Sequence, residues 1–305
     1  MEKQKLIIIA GPTAVGKSSA AVELAKRLDT EVISADSMQV YRRMDIGTAK
    51  ITEEEMKGIP HHLTDVIEPF EDYNVVRFKE MAKKAIDEVL KKGKIPIMCG
   101  GTGFYIQALL YDIDFTEEDN GGIRDELYSL YEREGAKYMH SLLEEKDPES
   151  AAAIPVNNVK RVIRAIEFYE LHGRKISEHN ITERQKESAY DSRFFVLTDD
   201  RKRLYERINK RVDKMVAEGL FDEVRALMDE GVPRSSTAMQ GIGYRESYAY
   251  LSGEITRDEA IELIKTNSRH YAKRQLTWFK REKNVIYINI SESGDIINEL
   301  EKYLW

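Results

Sequence analysis

The sequence has a single cysteine, Cys99, among its 305 residues. An intramolecular disulfide is therefore excluded, and so is a zinc site built from several cysteines. The chain also lacks any apolar run close to the roughly 18 residues that a membrane-spanning helix needs, and no secretory signal sequence precedes its first predicted strand. These absences predict a protein of the reducing cytoplasm without a membrane segment, in which Cys99 is a small buried side chain.

The sequence has no excess of basic charge either. Its 54 acidic residues outnumber 47 Lys and Arg residues, and the net charge of −7 argues weakly against a nucleic-acid partner. The basic residues nevertheless cluster on three predicted helix faces, which are Lys160, Arg161 and Arg164; Arg203, Arg207, Lys210, Arg211 and Lys214; and Lys265, Arg269, Lys273 and Lys280. One such face is commonly a solvated helix surface. Three of them in an acidic chain favour binding of a polyanion.

Strand and helix patterns alternate along both ends of the chain, without internal repeats. The predicted strands are Leu6–Ala10, Glu31–Ala35, Ile95–Cys99, Phe194–Leu197 and Val285–Ile290. The stretch between the third and fourth strands shows helical patterns and polar connections. We therefore predict an α/β P-loop core of nucleotide-kinase type, with a parallel sheet flanked by helices, over residues 1–115 and 190–305. An inserted α-helical domain is expected over residues 116–189.

The strand Leu6–Ala10 runs directly into a phosphate-binding motif. The motif consists of Gly11, Pro12, Thr13, Ala14, Val15, Gly16, Lys17 and Ser18. Its glycines let backbone N–H groups approach phosphate oxygens, Lys17 adds a mobile cation, and the Ser18 hydroxyl can ligate Mg²⁺. An ordinary glycine-rich turn would not need Gly-Lys-Ser in its last three places. The motif predicts a diphosphate-like anion and does not specify ATP.

Two further strand ends carry candidate chemistry. Asp36 follows the second strand, where a carboxylate can act as a general base, as an outer-shell ligand of Mg²⁺, or only as a turn cap. Thr102 follows the third strand and is flanked by Gly100, Gly101 and Gly103. This second segment is either a glycine-rich turn into a helix or a second anion-binding loop in the same cleft.

Six segments together resemble one known family. They are GPTAVGKS, ISADSMQVYRRMDIGTAK, IPHHLTD, GGTGFYIQALL, QGIGYRE and KRQLTWF, in that order from Gly11 to Phe279. The family is that of the bacterial tRNA dimethylallyltransferases, which transfer a prenyl group from dimethylallyl diphosphate to N6 of adenosine 37 in the anticodon loop of tRNA. The resemblance implies that the P-loop holds the diphosphate of the prenyl donor and that no nucleotide is hydrolysed.

The resemblance also implies roles for individual residues. Asp36 would accept the proton from the adenine amine, Ser18 would ligate Mg²⁺, and His61 would support the substrate end of the channel. The implied phosphate contacts are Thr13, Thr102 and Arg211. The absence of a Cys₂His₂ extension implies no zinc, and we expect a monomer.

A tRNA surface is implied as well, because the target base must leave its stack to reach the donor. The implied tRNA contacts are Asp36, Ser37, Met38, Gln39, Arg124, Lys160, Arg161, Val162, Ile163, Arg164, Gln240, Gly241, Gly243, Tyr244, Arg245, Lys273, Arg274 and Gln275. These segments contain parts of two of the three basic faces, and the third face contains Arg211, an implied phosphate contact.

Three other functions fit part of the pattern. A small-molecule P-loop kinase would turn over ATP, and it has no use for a basic helix as long as 257–283. A prenyltransferase for free adenine nucleotides shares the donor site but needs neither the insertion nor a tRNA surface. A non-enzymatic tRNA-binding protein would leave Asp36 and the intact P-loop without a purpose.

Overall fold

The computed structural model describes residues 3–115 and 122–305. The chain divides into two compact units, residues 1–110 with 189–305 and residues 111–188. The second unit covers nearly the same stretch as the predicted insertion, 116–189, whose first residues, 116–121, lie outside the described part. Within the described ranges no helix is both long and apolar enough to cross a membrane.

The first unit contains a parallel sheet, as predicted. Within the described residues it has six strands in the order β3-β2-β4-β1-β5-β6. The strands are β1 Lys5–Ala10, β2 Val32–Ser34, β3 His61–His62, β4 Ile97–Gly100, β5 Asp191–Thr198 and β6 Val285–Asn289. Every neighbouring pair is parallel, so the carboxyl ends of all strands meet at one edge. Strand β3 was not predicted, because two half-buried histidines make no apolar run.

Helices flank the sheet and form the whole regular structure described in the second unit. Before residue 111 they are α1 Lys17–Arg27, α2 Glu53–Met56, α3 Val75–Lys91 and α4 Gly103–Leu110. The second unit contains α5 Ile123–Lys146, α6 Pro148–Ala153, α7 Val159–His172 and α8 Ile176–Gln185. The return to the first unit adds α9 Arg201–Ala217, α10 Leu220–Asp229, α11 Tyr244–Leu251, α12 Arg257–Phe279 and α13 Ile296–Glu301.

The core of the first unit is built around the central strand β1. Residues Leu6–Ala10 are fully buried, which is typical of a parallel strand covered by helices on both faces. The strand therefore delivers the P-loop to the middle of the carboxyl edge. Cys99, near the end of β4, is buried and reduced, as predicted.

The second unit has its own apolar core. Its α7 contributes Val162, Ile163 and Ile166, which pack with Met139 and Leu143 of α5. Val162 and Ile163 are at most 1% exposed. The prediction that they contact tRNA is therefore wrong for their side chains, since this core excludes them from any external ligand.

Candidate active site

A cavity of ≈ 460 Å³ lies within the first unit and contains most of the predicted donor-site residues. Predicted residues that line it are Thr13, Ala14, Gly16, Lys17, Ser18, Asp36, Gln39, His61, Arg211 and Gln275. They come from the P-loop, from the segments after β2 and at β3, and from α9 and α12. Segments separated by more than 200 positions thus share one cavity.

Two glycines of the P-loop adopt positive φ angles. Gly11 has φ 148° and Gly16 has φ 101°, in the region that favours glycine. A Cβ on Gly11 would also lie 2.5 Å from the carbonyl oxygen of Leu197. Helix α1 begins directly after Gly16, so its N-terminal N–H groups open at the cavity.

Lys17 supplies the cation of the loop. Its Nζ donates to the carbonyl oxygen of Pro12 at 2.8 Å, so the side chain curls back over its own loop. The pKa of Lys17 is lowered to about 8, mainly by burial; Arg211 also lowers it, while Cys99 and Asp36 raise it. An anion in the loop would restore the charged form of this lysine.

Asp36 has the turn-cap role that was one of its predicted roles. One carboxylate oxygen, Oδ1, accepts hydrogen bonds from the backbone N–H groups of Met38 at 2.8 Å and Gln39 at 3.3 Å. These bonds cap the turn after β2 and fix the carboxylate. The other oxygen, Oδ2, takes no part in this cap, and the residue lines the cavity. Asp36 is thus a turn cap whose second oxygen can take up a proton.

Arg211 reaches the P-loop from α9. Its Nη1 donates to the Thr13 hydroxyl at 3.3 Å. Lys17 and Arg211 therefore bring two cationic side chains to the loop, where a guanidinium can pair with phosphate oxygens. The Ser18 hydroxyl sits in the first turn of α1 and is exposed at the cavity.

The Gly100–Gly103 segment differs from its anion-binding interpretation. Thr102 is absent from the cavity lining, and its hydroxyl oxygen is buried. A Cβ at Gly101 would overlap the side chain of Gln275, and one at Gly103 would overlap Trp278. These two glycines are required because α12 packs against them, which favours the turn interpretation over a second anion loop.

Gln275 is a buried bridge rather than a surface residue, with 5% exposure. Its Oε1 accepts from the backbone N–H of Thr13 at 2.9 Å, and its Nε2 donates to the carbonyl oxygen of Gly101 at 2.9 Å. Both ends of its amide bind the protein in this structure, and its contact with tRNA stays a prediction.

One wall of the cavity consists of residues to which the sequence had assigned no role in the site. Residues 45, 46 and 48–52 line it, and Gln39 holds this segment by donating to the carbonyl oxygens of Thr48 and Ala49. The Glu223 carboxylate accepts from the N–H groups of Asp45, Ile46 and Gly47 at 2.7–3.0 Å. Three N–H donors converging on one side chain cannot be foreseen from local pattern.

Tyr244 belongs to the same wall. Its hydroxyl donates to Glu223 at 2.6 Å, and it is 1% exposed. Tyr244 and the buried Gly243 are therefore not exposed tRNA contacts, whereas Gln240 and Arg245 are exposed. Gly241 lies against Met38, since a Cβ there would be 2.5 Å from the Met38 methyl carbon. The 240–245 segment thus also supports the turn that holds Asp36.

The basic residues predicted on one face of α12 form two groups, one paired within the first unit and one exposed. Lys265 pairs with Asp213 and Glu262, and Arg269 donates to Asn209 and Thr266. These cations are used inside the unit, where Lys265 and Arg269 tie α12 to α9. Of the predicted cations near the end of the helix, Lys273 and Arg274 are exposed, and so is Lys280 after its end.

The second unit carries its own cationic residues. Lys160 and Arg161 are exposed on α7. Arg124 donates twice to the buried Glu167 at 2.9 Å, and Arg164 donates to the same carboxylate at 3.1 Å. Both arginines remain about half exposed, so Glu167 holds them at the surface of this unit.

His61 lines the cavity near β3. Its Nδ1 lies 2.8 Å from the carbonyl oxygen of Ile59, and burial lowers its pKa. The neutral ring is therefore favoured near neutral pH, which fits a supporting role rather than that of a cation.

Comparison with known proteins agrees with this architecture. A model of the IPP transferase family matches residues 39–282. A tRNA dimethylallyltransferase of Lachnoclostridium phytofermentans is 54% identical over 99% of this chain and 97% of its own length. The crystal structure of a Bacillus halodurans tRNA isopentenylpyrophosphate transferase has a TM-score of 0.74 and 46% identity, covering 99% of this chain and 95% of that one.

A more distant structure also matches. It is that of a eukaryotic dimethylallyltransferase acting on tRNA, with a TM-score of 0.77 and 31% identity over 94% of this chain and 74% of its own. The resemblance of the six sequence segments is thus confirmed over the whole chain and in three dimensions. The chain belongs to the IPP transferase family.

Proposed function

We propose that this protein transfers a dimethylallyl group from dimethylallyl diphosphate to N6 of adenosine 37 in the anticodon loop of tRNA, and releases diphosphate. Membership of the IPP transferase family and the names of its relatives support the proposal. The observation that carries it is that Lys17 of the P-loop and Arg211 of α9 share one cavity with Asp36. A site for a diphosphate leaving group and a proton acceptor are both needed for this reaction.

The leaving group accounts for most of the proposed catalysis. As the bond between the allylic carbon and the bridging oxygen breaks, negative charge grows on the diphosphate. The P-loop amides, the N-terminus of α1, Lys17 and Arg211 are placed to stabilise that charge. Mg²⁺ fits the donor set, because the exposed Ser18 hydroxyl opens at the cavity; when bound, the ion would supply further positive charge to the phosphate oxygens.

The acceptor half of the reaction uses Asp36. The adenine N6 forms the new bond to the allylic carbon and gives up one proton. Oδ2 of Asp36 takes that proton, while Oδ1 remains bound to the N–H groups of Met38 and Gln39. The backbone bonds hold the base in place during the transfer, so no reorganisation of the turn is needed.

The tRNA surface of the proposal consists of exposed cations on each unit. On the first unit these are Lys273 and Arg274, and on the second they include Lys160 and Arg161. Contacts to phosphates fix the position of an RNA loop without reading its sequence. The flipped adenosine would be read at the cavity itself.

The test is incubation of the protein with dimethylallyl diphosphate, Mg²⁺ and one of two acceptors, an anticodon stem-loop or AMP. We expect prenylation of an anticodon stem-loop, none of AMP, and no hydrolysis of ATP in a parallel reaction. Transfer to AMP with equal efficiency would identify an adenine-nucleotide prenyltransferase. Phosphoryl transfer from ATP would identify a kinase.

A further inference from the structure

The amide of Gln275 joins two loops that approach the cavity from different strands. It accepts from the backbone N–H of Thr13 in the P-loop and donates to the carbonyl oxygen of Gly101 after β4. Both bonds are 2.9 Å long, and the residue is 5% exposed. Because a carboxamide carries one acceptor and one donor end, it satisfies both backbone groups at once.

Thr13 is consequently held from two directions. Gln275 binds its backbone N–H, and Arg211 binds its side-chain hydroxyl. The next residue, Ala14, has φ 63°, a left-handed conformation that is unfavourable for a residue with a Cβ. The strained turn of the P-loop is therefore held by contacts from α9 and α12 in addition to the bond of Lys17 to Pro12 within the loop.

The side chains of α12 pack closely against the loop after β4, at the Gln275 bridge to Gly101 and beside it. A Cβ on Gly101 would overlap the Gln275 side chain, and a Cβ on Gly103 would overlap Trp278. Trp278 lies about one helical turn after Gln275 on α12. The absence of side chains at both glycines lets α12 lie directly on the loop after β4. A shift of the bridge would therefore move the P-loop and this loop together.

We propose that Gln275 is a positioning residue of the donor site, which holds the P-loop in the conformation that accepts the diphosphate and does not itself bind tRNA. The inference rests on the proposed function in one respect, that the donor is a diphosphate. It assigns the geometry of the loop to a residue outside the loop. Gln275 touches neither reacting atom and acts through the Thr13 amide.

Two variants test this role in the full chain. Gln275→Met removes both hydrogen bonds at similar size, and Gln275→Glu keeps the acceptor but opposes the Gly101 carbonyl oxygen. The matched control is Gln4→Glu, the same change at an exposed residue before β1, at the opposite end of that strand from the P-loop. Binding of inorganic diphosphate with Mg²⁺ is measured by calorimetry without tRNA, and folding by the midpoint of thermal unfolding.

We expect both variants to fold and to bind diphosphate about tenfold more weakly, because Gln275→Met leaves both backbone groups without this partner and Gln275→Glu leaves the Gly101 carbonyl oxygen without it. The KM for dimethylallyl diphosphate should rise in parallel, with the KM for the anticodon stem-loop unchanged, and Gln4→Glu should match the parent. A raised KM for RNA with normal diphosphate affinity would overturn the inference, and so would failure of both variants to fold. Diphosphate binding needs no prenyl transfer, so absence of transfer in the parent would refute the proposed function alone.

Discussion

Arg211 on α9 donates a hydrogen bond to the hydroxyl of Thr13 in the P-loop, at 3.3 Å and across 198 positions of sequence. The P-loop motif contains one cation, Lys17, and this contact brings a second. The donor site is therefore completed only after the chain returns to the first unit at residue 189.

Replacing Arg211 with Ala should raise the KM for dimethylallyl diphosphate by about tenfold to hundredfold, because a charge-assisted contact to the leaving group is lost. Arg211→Lys should raise this KM less, because lysine keeps the positive charge but lacks the planar guanidinium. Arg225→Ala, at an exposed arginine on α10, is the control. Steady-state kinetics with saturating tRNA give the measurement, and an unchanged donor constant in Arg211→Ala would contradict the assignment.

Replacing Asp36 with Asn should lower the rate of the chemical step by roughly 10²–10⁴-fold, the usual contribution of a positioned general base. The Asn oxygen can still cap the N–H groups of Met38 and Gln39, so the turn and tRNA affinity should change little. Single-turnover kinetics and direct RNA binding separate the two effects. A near-normal single-turnover rate would remove Asp36 from this role.

Diphosphate binding should depend on pH through Lys17. Burial lowers its pKa to about 8, so the free protein loses this charge as the pH rises above that value. Bound diphosphate favours the charged form, and binding at about pH 9 should therefore take up a proton that binding at about pH 7 does not. Affinity should fall as the pH rises through this range.

Calorimetry in two buffers of different ionisation enthalpy measures this proton uptake. Lys17→Arg is the control, because a guanidinium stays charged throughout. Equal uptake in the control would assign the proton to another group.

Lys17 also affects folding. Its pKa in the native state lies below the unfolded value, so this group makes the free energy of unfolding increase with pH between about 8 and 10.5.

The salt dependence of tRNA binding should distinguish two lysines of α12. Lys273 is exposed, whereas Lys265 pairs with Asp213 and Glu262. Lys273→Ala should lower the slope of log affinity against log salt by about 0.7–0.9, the effect of one phosphate contact. Lys265→Ala should leave that slope unchanged. Affinity that is flat or improves with salt in the parent would mean that the exposed cations are solvated surface only.

Gly47→Ala should destabilise the cavity wall. A Cβ at Gly47 would lie 2.6 Å from the buried ring of Tyr244, which cannot move without losing its bond to Glu223. We expect a loss of about 1–3 kcal/mol in the free energy of unfolding, as for other overpacked sites. Gly294→Ala has open space around it and should have little effect. Denaturant unfolding of both variants gives the comparison, and equal stability of the two would contradict the packing argument.

Much of the fold was predictable because its signals are local. Leu6–Ala10 is an uninterrupted apolar run before a glycine-rich loop, and the strand and P-loop appear where that pattern places them. The parallel sheet of the first unit likewise follows from alternating strand and helix patterns. The two-residue β3 was missed because its pairing with β2 depends on a neighbour and not on its own composition.

The sequence by itself determined the motifs and their order, and with them the family, because a P-loop or an Asp after a strand is defined by spacing along the chain. Only the tertiary structure decided which side chains face the cavity and which face one another. Gln275 and Tyr244 turned inward to bind backbone groups and a carboxylate, Lys265 was paired within the unit, and Thr102 was left outside the cavity lining. Helical spacing places a residue on a face, but burial and pairing depend on the distant segment that packs against that face.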